Sequence, residues 1–351
     1  MTTMRAAVFH NGLTSLVLQE IPIPRPGPKQ VLLKVAAAGV CHSDTLLLSD
    51  TLNDPRKYVF GHENAGYAVE LGKDVENIEI GKLYAIWDIV AHDPHQIPGL
   101  PPFADSIGIG ENGGFAEFIV ADASDLVPVP ADLRPEVAAL AADSLITVYN
   151  AVHNRAGLRP GTKQRVLIYG VGGLGHQAVQ LAKSYGATVF ACDIKASARE
   201  LALSLGAEQA FQPTELTSLT SSTDESKNFQ VDIVIDFVSN QQSFTIDQAV
   251  VKGHGNSLQE TPGTIVMVGL FGDNLSFNIF ELLIFRTNVL TSLYGTKDDL
   301  KASLALLAEG AVKPVVSAAP LEEVNKVLDE LRAGRVTGRM VVVPGMKATK
   351  A

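Results

Sequence analysis

Three side chains of metal-binding type stand at positions where their chemistry needs explaining: Cys41, His62 and Asp143. Gly39-Val40-Cys41-His42-Ser43-Asp44 closes a run of strand-forming residues with polar, reactive groups. Phe60-Gly61-His62-Glu63-Asn64-Ala65-Gly66 repeats that pattern, His62 following Cys41 by 21 positions. Asp143 lies inside an apolar stretch running from Ala138 to Tyr149, where a carboxylate needs a partner to offset its desolvation. Thiolate and neutral imidazole are good zinc ligands and a carboxylate is an acceptable one; three protein ligands leave a fourth position for substrate or water. Two anionic ligands and one neutral one also balance the charge of Zn²⁺. Spacing by itself leaves both zinc and coincidence open, because a Cys and a His so far apart meet often in a chain of this length.

A second stretch points to nucleotide chemistry. Val166-Leu167-Ile168-Tyr169 runs into Gly170-Val171-Gly172-Gly173-Leu174-Gly175, the G-x-G-x-x-G of a dinucleotide-binding turn, and then into an amphipathic segment. Gly170 permits the sharp turn, Gly172 lets the backbone approach a pyrophosphate, and Gly175 lets the helix lie close to the strand. The N–H groups at the helix start, around Gly173 and Leu174, then face phosphate. A second strand, Thr188 to Cys192, ends at Asp193, which follows Gly170 by 23 residues, close to where an acid meets the adenosine ribose. A carboxylate there accepts ribose hydroxyls and repels a 2′-phosphate, which favours NAD over NADP; neighbouring Lys195 weakens the preference slightly.

The elements that must position these groups fall into two classes. Residues 5 to 40 carry short β-type runs split by Pro22 to Pro28, a rigid connection, and further strands are expected around Tyr67 to Leu71, Lys82 to Val90 and Phe115 to Val120. Pro98 to Gly114 reads as loop and Pro135 to Ala142 as helix. From Val166 to Leu293 strand and helix signals alternate, as a parallel sheet covered by helices requires. Strands are expected at 166–169, 188–192, 231–237, 264–269 and 288–293, with Gly186 and Gly206 ending helices. Thr214 to Asn228, Ser/Thr-rich and poor in apolar residues, reads as a surface connection. Helical patterns at 297–309 and 321–333 and a strand from Arg339 to Val343 follow, and the tail from Lys347 to Lys350 is expected to fray.

The chain's 351 residues, 46% hydrophobic and 19% charged, suffice for two domains with cores. A formal charge of -10 disfavours nucleic acid or an anionic membrane as partner, since both need clustered Lys and Arg. No apolar run reaches the ~18 residues of a spanning helix, and the first residues do not form a signal peptide, so a cytoplasmic location is expected. Two cysteines make no disulfide framework, and Cys192 reads as a buried strand residue.

The motifs at Gly39 to Asp44, Gly61 to Gly66 and Gly170 to Gly175, in this order and spacing, resemble those of the zinc-dependent alcohol dehydrogenases of the medium-chain dehydrogenase/reductase superfamily. The similarity extends to Val268-Gly269-Leu270-Phe271-Gly272 and to Leu331 through Arg339. The resemblance implies an α/β fold: a β-rich, GroES-like catalytic domain (1–144 and 294–351) interrupted by a Rossmann domain (145–293) with a doubly wound parallel sheet. It implies an NAD(P)-dependent alcohol dehydrogenase or carbonyl reductase, moving a hydride between NAD(H) and a primary or secondary alcohol and its aldehyde or ketone.

Carried over position by position, the resemblance makes Cys41, His62 and Asp143 the ligands of one catalytic zinc that polarises the substrate oxygen. The family's third ligand is usually Cys; Asp143 keeps the site with a harder donor. Ser43 matches the hydroxyl that handles the substrate proton, Asp44 the carboxylate that orients His62, and Glu63 a glutamate beside the metal. His42 and Arg339 would meet the cofactor phosphates, Thr147 the nicotinamide, and backbone groups near Val268 and Ser292 its carboxamide. Trp87 lies near a position that lines the family's substrate pocket, and Leu46 stands where several relatives have the His that finishes a proton relay.

One departure is an absence: Asp88 to Gly114 contains none of the four cysteines that hold a structural zinc in many relatives, so no structural zinc is expected. His92 and His95 do not replace it, because a closed zinc site needs four ligands. The resemblance further implies a homodimer or homotetramer paired through the strand at 288–293. Two other readings compete: a reductase of the same superfamily acting on a C=C or C=N bond with NAD(P)H, zinc being non-catalytic or absent, and a nucleotide-binding protein without catalysis.

Overall fold

A computed structural model of the chain describes residues 2–48, 55–87, 105–220, 228–251, 262–270 and 274–347. His92, His95 and most of the cysteine-free stretch lie outside the described residues, as do Phe271 and Gly272. The chain divides into two compact units. The first comprises Met1–Ile146, Thr296–Glu309 and Pro314–Ala351, and the second Thr147–Gly295 with Gly310–Lys313.

The second unit is built on six parallel strands in the order Gln209–Phe211, Thr188–Cys192, Arg165–Tyr169, Ile233–Asp236, Thr264–Met267, Asn288–Thr291. Sequence order reverses direction at the central strand, the doubly wound arrangement. The inner strands are continuous apolar runs, because a parallel sheet buries both faces; Val166, Leu167, Ile168, Val234 and Ile235 are fully buried. Helices Gly175–Ser184 and Ala196–Ser204 end before Gly186 and Gly206, whose φ values of +95° and +105° permit the left-handed turn back to a strand.

Two features of this unit differ from the sequence expectation. A strand at Gln209–Phe211 adds the outer edge of the sheet; only three residues long, it carries too short a period to be read. The Ser/Thr-rich stretch begins not as a connection but as a helix, Pro213–Leu219. Proline sits in its first turn, the Glu215 carboxylate accepts a hydrogen bond from the Gln212 N–H, and Leu216 is buried. Its remaining side chains are mostly exposed hydroxyls, which hide the apolar stripe.

The first unit is β-rich. Thr3–Phe9 lies between Val17–Pro22 and Tyr58–Val59 in one antiparallel sheet. In the larger sheet the order is Leu126–Pro128, Leu83–Ile86, Glu63–Leu71, Gln30–Val40, Arg339–Val343, Val316–Pro320, with Phe118–Asp122 also paired to Gln30–Val40. Its last two strands come from the far end of the sequence. Register does the positioning here: Gly39 opposes Glu63 on one side and Val341 on the other, so residues 41, 62–63 and 339 meet across three neighbouring strands.

The helix expected from Pro135 runs as an α-helix to Leu140 and continues as a π-helical turn, Ala141–Leu145. Ile146–Tyr149 returns to α geometry, and a second π-helical segment spans Asn150–Arg155. The expected tail helices are Lys297–Ala308 and Val324–Arg332, the latter preceded by a 3₁₀ turn at Leu321–Glu323. No helix among the described residues is long and apolar enough to cross a membrane.

Candidate metal centre and dinucleotide turn

Cys41 begins where the strand Gln30–Val40 ends and the short helix His42–Leu47 starts. The Asp44 carboxylate accepts from the Cys41 N–H at 2.8 Å, fixing that turn. His62 precedes the strand Glu63–Leu71, and Asp143 projects from the π-helical turn. Widened single turns of this kind often mark functional positions, since the extra residue re-aims a side chain. One donor atom from each of Cys41, His62 and Asp143 lies within 4.8 Å of the others, a group that could hold a metal ion.

The donor set fits such an ion. His62 Nε2 is 3.6 Å from Asp143 Oδ2, close to the ~3.4 Å that two ligands keep around a tetrahedral metal. The other imidazole nitrogen, Nδ1, is 3.0 Å from Asp44 Oδ1. Asp44 is fully buried, so its charge beside Nδ1 favours the tautomer with the proton there and leaves Nε2 as the lone-pair donor. Ser43 Oγ approaches the same Nε2 at 3.1 Å.

Charge is balanced one layer out. Glu63 is fully buried; one carboxylate oxygen accepts from the Ser144 N–H at 3.2 Å and the other from Arg339 Nη2. The same guanidinium nitrogen is 3.9 Å from Asp143 Oδ2. A Cβ on Gly39 would collide with the Glu63 carboxylate, so only glycine opposite Glu63 admits it. Burial lowers the His62 imidazole, but the charge of Asp44 and hydrogen bonds to Asp143, Asp44 and Cys41 outweigh it and hold the group well above its ordinary range. Burial raises Asp143, yet His62 first and then Arg339 pull its carboxyl below the usual value. Burial pushes Glu63 up, against the opposing guanidinium of Arg339.

Arg339 is the residue whose setting the sequence did not reveal. Expected at cofactor phosphates, it is buried against Glu63 and Asp143, and its Nε has no hydrogen-bond partner among the described residues. Two acids buried in apolar surroundings were the available signal, since they call for a cation. His42 is exposed at the helix start, whereas Leu46, in the same helix, and Trp87, whose N–H donates to the Asp125 carbonyl at 2.9 Å, are half-buried.

The nucleotide residues belong to the second unit. Gly170 has φ +85°, and a Cβ on Gly175 would collide with the Gly170 carbonyl oxygen, so the helix closes on the turn only with glycine there. A Cβ on Gly172 would meet nothing within 4 Å, which leaves the outer side of the loop open to a ligand. Gly173 and Leu174 lead into the helix Gly175–Ser184. Asp193 ties the loop to the neighbouring strand: Oδ2 accepts from the Val171 N–H and Oδ1 from the Lys195 N–H, each at 2.8 Å. Arg199 Nη1 donates to the carbonyls of Asp193 and Ile194, at 2.8 and 3.0 Å, and steadies that strand end. Thr147, Val268 and Ser292 are buried, and Ser292 Oγ has no hydrogen-bond partner among the described residues.

Comparison with known proteins agrees with this arrangement. Residues 27–131 match the alcohol dehydrogenase GroES-like domain family, and residues 173–309 the zinc-binding dehydrogenase family. The chain is 32% identical to an alcohol dehydrogenase of Geobacillus stearothermophilus over 97% of its own length and 98% of that protein. The solved alcohol dehydrogenase of Aeropyrum pernix superposes with a TM-score of 0.82 at 31% identity, covering 97% of this chain and 100% of that one. Acetophenone reductase of Geotrichum candidum, solved in complex with NAD, gives a TM-score of 0.79 at 30% identity, with 97% of each chain covered.

Proposed function

The chain belongs to the zinc-type alcohol dehydrogenase family of the medium-chain dehydrogenases and reductases, and from that premise we propose that it transfers a hydride between NAD(H) and an alcohol/carbonyl pair. The observation that carries the reading is the convergence of Cys41, His62 and Asp143, with Asp44 behind His62. Those three residues would hold a zinc ion, which would supply a Lewis acid for the substrate oxygen, with NAD(H) as the hydride carrier.

The chain's own residues do the rest. Asp44 keeps the Nδ1 proton on His62, so Nε2 is available as a ligand. The Ser43 hydroxyl lies beside Nε2 and, with that nitrogen committed as a ligand, would be free to take the substrate proton. Leu46 carries no proton, so onward transfer from Ser43 runs through water. Arg339 offsets the negative charge of Glu63 and Asp143 and keeps both oriented while burying them. In the second unit the open side of Gly172 suits a pyrophosphate, and Asp193, with backbone donors already on both oxygens, retains lone-pair directions for ribose hydroxyls. That favours NAD over NADP.

We also read the molecule as a homo-oligomer in a reducing, cytosolic compartment, in keeping with its two free cysteines. Elemental analysis of the purified protein tests the central claim. About one zinc per chain, lost together with alcohol oxidation in Asp143→Ala, is expected. An active wild type without zinc would overturn it.

A further inference from the structure

In the second unit, away from the glycine-rich turn, a pair of acids is buried where no metal or cofactor has been assigned. Asp236 ends the strand Ile233–Asp236, and Asp247 projects from the helix Gln241–Val250 packed against it. Both side chains are fully buried. Asp236 already has three donors, and one lone-pair direction of Oδ2 remains: Oδ1 accepts from the N–H groups of Val238 at 2.7 Å and Ser239 at 2.9 Å, and Oδ2 from Ser243 Oγ at 2.6 Å. Asp247 is the opposite case, since neither of its carboxylate oxygens receives a hydrogen bond from the described residues.

An ionised carboxylate with no donor and no cation costs far more than a folded domain of this size tolerates, so such a group keeps its proton. A protonated carboxyl then has an O–H to place, and Asp236, on the strand against which this helix packs, is the acceptor that faces it. The other titratable groups facing Asp247 are the Tyr169 phenol, from the neighbouring strand Arg165–Tyr169, and the Cys192 thiol, from the strand beyond it. Burial pushes both upward, so both are neutral and neither offers a positive charge. Glu215, on the adjacent helix Pro213–Leu219, is exposed.

We propose that Asp236 and Asp247 share one proton, Asp247 being the neutral acid that donates to Asp236, and that Asp247 thereby acts as a positioning residue for the turn Phe237–Ser239. That turn needs holding. Ser239 has φ +55°, strained for a residue with a side chain, and is clamped from both sides: its Oγ donates to the Asp236 carbonyl and accepts from the Gly269 N–H. Val238 packs on the glycine-rich loop so closely that a Cβ on Gly170 would lie 2.8 Å from its Cγ2. Losing the shared proton would put two negative charges against one another beneath the residues that shape the loop.

The sign of the pH effect follows from where the proton sits. Burial, the charge of Asp236 and the hydrogen bond to it hold Asp247 well above the ordinary carboxylate range. The unfolded chain releases that proton near pH ~3.9, so the stabilisation is complete below that value and declines as pH rises toward the folded-state pKa. Across that window the wild-type unfolding constant should rise about tenfold per pH unit relative to Asp247→Asn, whose amide N–H still donates to Asp236 but does not ionise.

Urea unfolding of both full-length proteins without cofactor, followed over mildly acidic to neutral pH, measures that difference. Identical pH slopes would overturn the proposal. Infrared spectroscopy of the isotope-labelled wild type at neutral pH needs no variant: a protonated-carboxyl C=O stretch from an aspartate is expected, and its absence would equally overturn it. Neither measurement involves zinc, cofactor or turnover, so the proposal can fail while the oxidoreductase reading stands.

Discussion

Asp44 does two jobs with one buried carboxylate, fixing the Cys41 turn through Oδ2 and facing His62 Nδ1 with Oδ1. Asp44→Asn keeps the size but loses the charge that stabilises the Nδ1 proton. Zinc affinity should therefore fall by roughly 10–100-fold, measured by competition with a chromophoric chelator, while Cys41 and Asp143 remain able to bind. Unchanged affinity would remove the orienting role from Asp44. At this scale much of the site was legible in the sequence. Cys41, His62 and Asp143 stand out as metal-binding types, and an acid stranded among apolar residues announces a partner. What the sequence hid was the identity of that partner. Arg339 is 196 residues from Asp143 by subtraction of their positions, and only the pairing of Arg339–Val343 beside Gln30–Val40 brings it there. No local period encodes a contact made by sheet register between distant strands.

At the scale of elements, long periodic segments were legible and short or atypical ones were not. The inner parallel strands show as apolar runs and the glycines after the helices as stops, whereas Gln209–Phe211 and Pro213–Leu219 are too short or too polar to show. The π-helical turn is invisible for another reason. Ala141 to Leu145 are ordinary helix-compatible residues, so nothing in their local preferences marks the extra residue of the turn. Tight apposition of elements, by contrast, is written plainly as glycine. Because a Cβ on Gly175 would strike the Gly170 carbonyl, Gly175→Ala must push the helix Gly175–Ser184 off the strand Arg165–Tyr169. Overpacking of this kind costs about 1–3 kcal/mol, and the displaced helix start should weaken NADH binding while leaving zinc content at the wild-type value. Fluorescence titration with NADH alongside elemental analysis checks both. Loss of zinc together with NADH would show that the change unfolds more than the turn.

At the scale of the whole molecule, one apolar surface stands exposed among the described residues. The helix Ile279–Ile284 buries none of its residues, and Phe277, Ile279, Phe280, Leu283 and Ile284 are each more than half exposed. Next to it in the chain runs Asn288–Thr291, the outer strand of the six-stranded sheet, whose outer edge pairs with no strand among the described residues, with Val289 and Leu293 exposed nearby. Soluble chains rarely leave a contiguous apolar patch of this kind open, and an unpaired strand edge beside it is a template for another strand. A second copy of the same chain satisfies both demands at once, because a two-fold axis beside the edge strand pairs each strand with its equivalent and covers each helix with the other. Such a closed arrangement would stop at two subunits through this face, and would prevent open-ended association as well as bury the apolar helix. Phe280→Glu places a charge where the patch is 67% exposed in one copy. Buried in a dimer without a partner that charge is strongly unfavourable, whereas on a free monomer it is harmless. Light scattering should therefore report a dimer or a multiple of it for the wild type and a smaller species for Phe280→Glu, with the zinc content of each chain retained. A wild type that is monomeric at micromolar concentration would show that the face is covered by something other than its own copy.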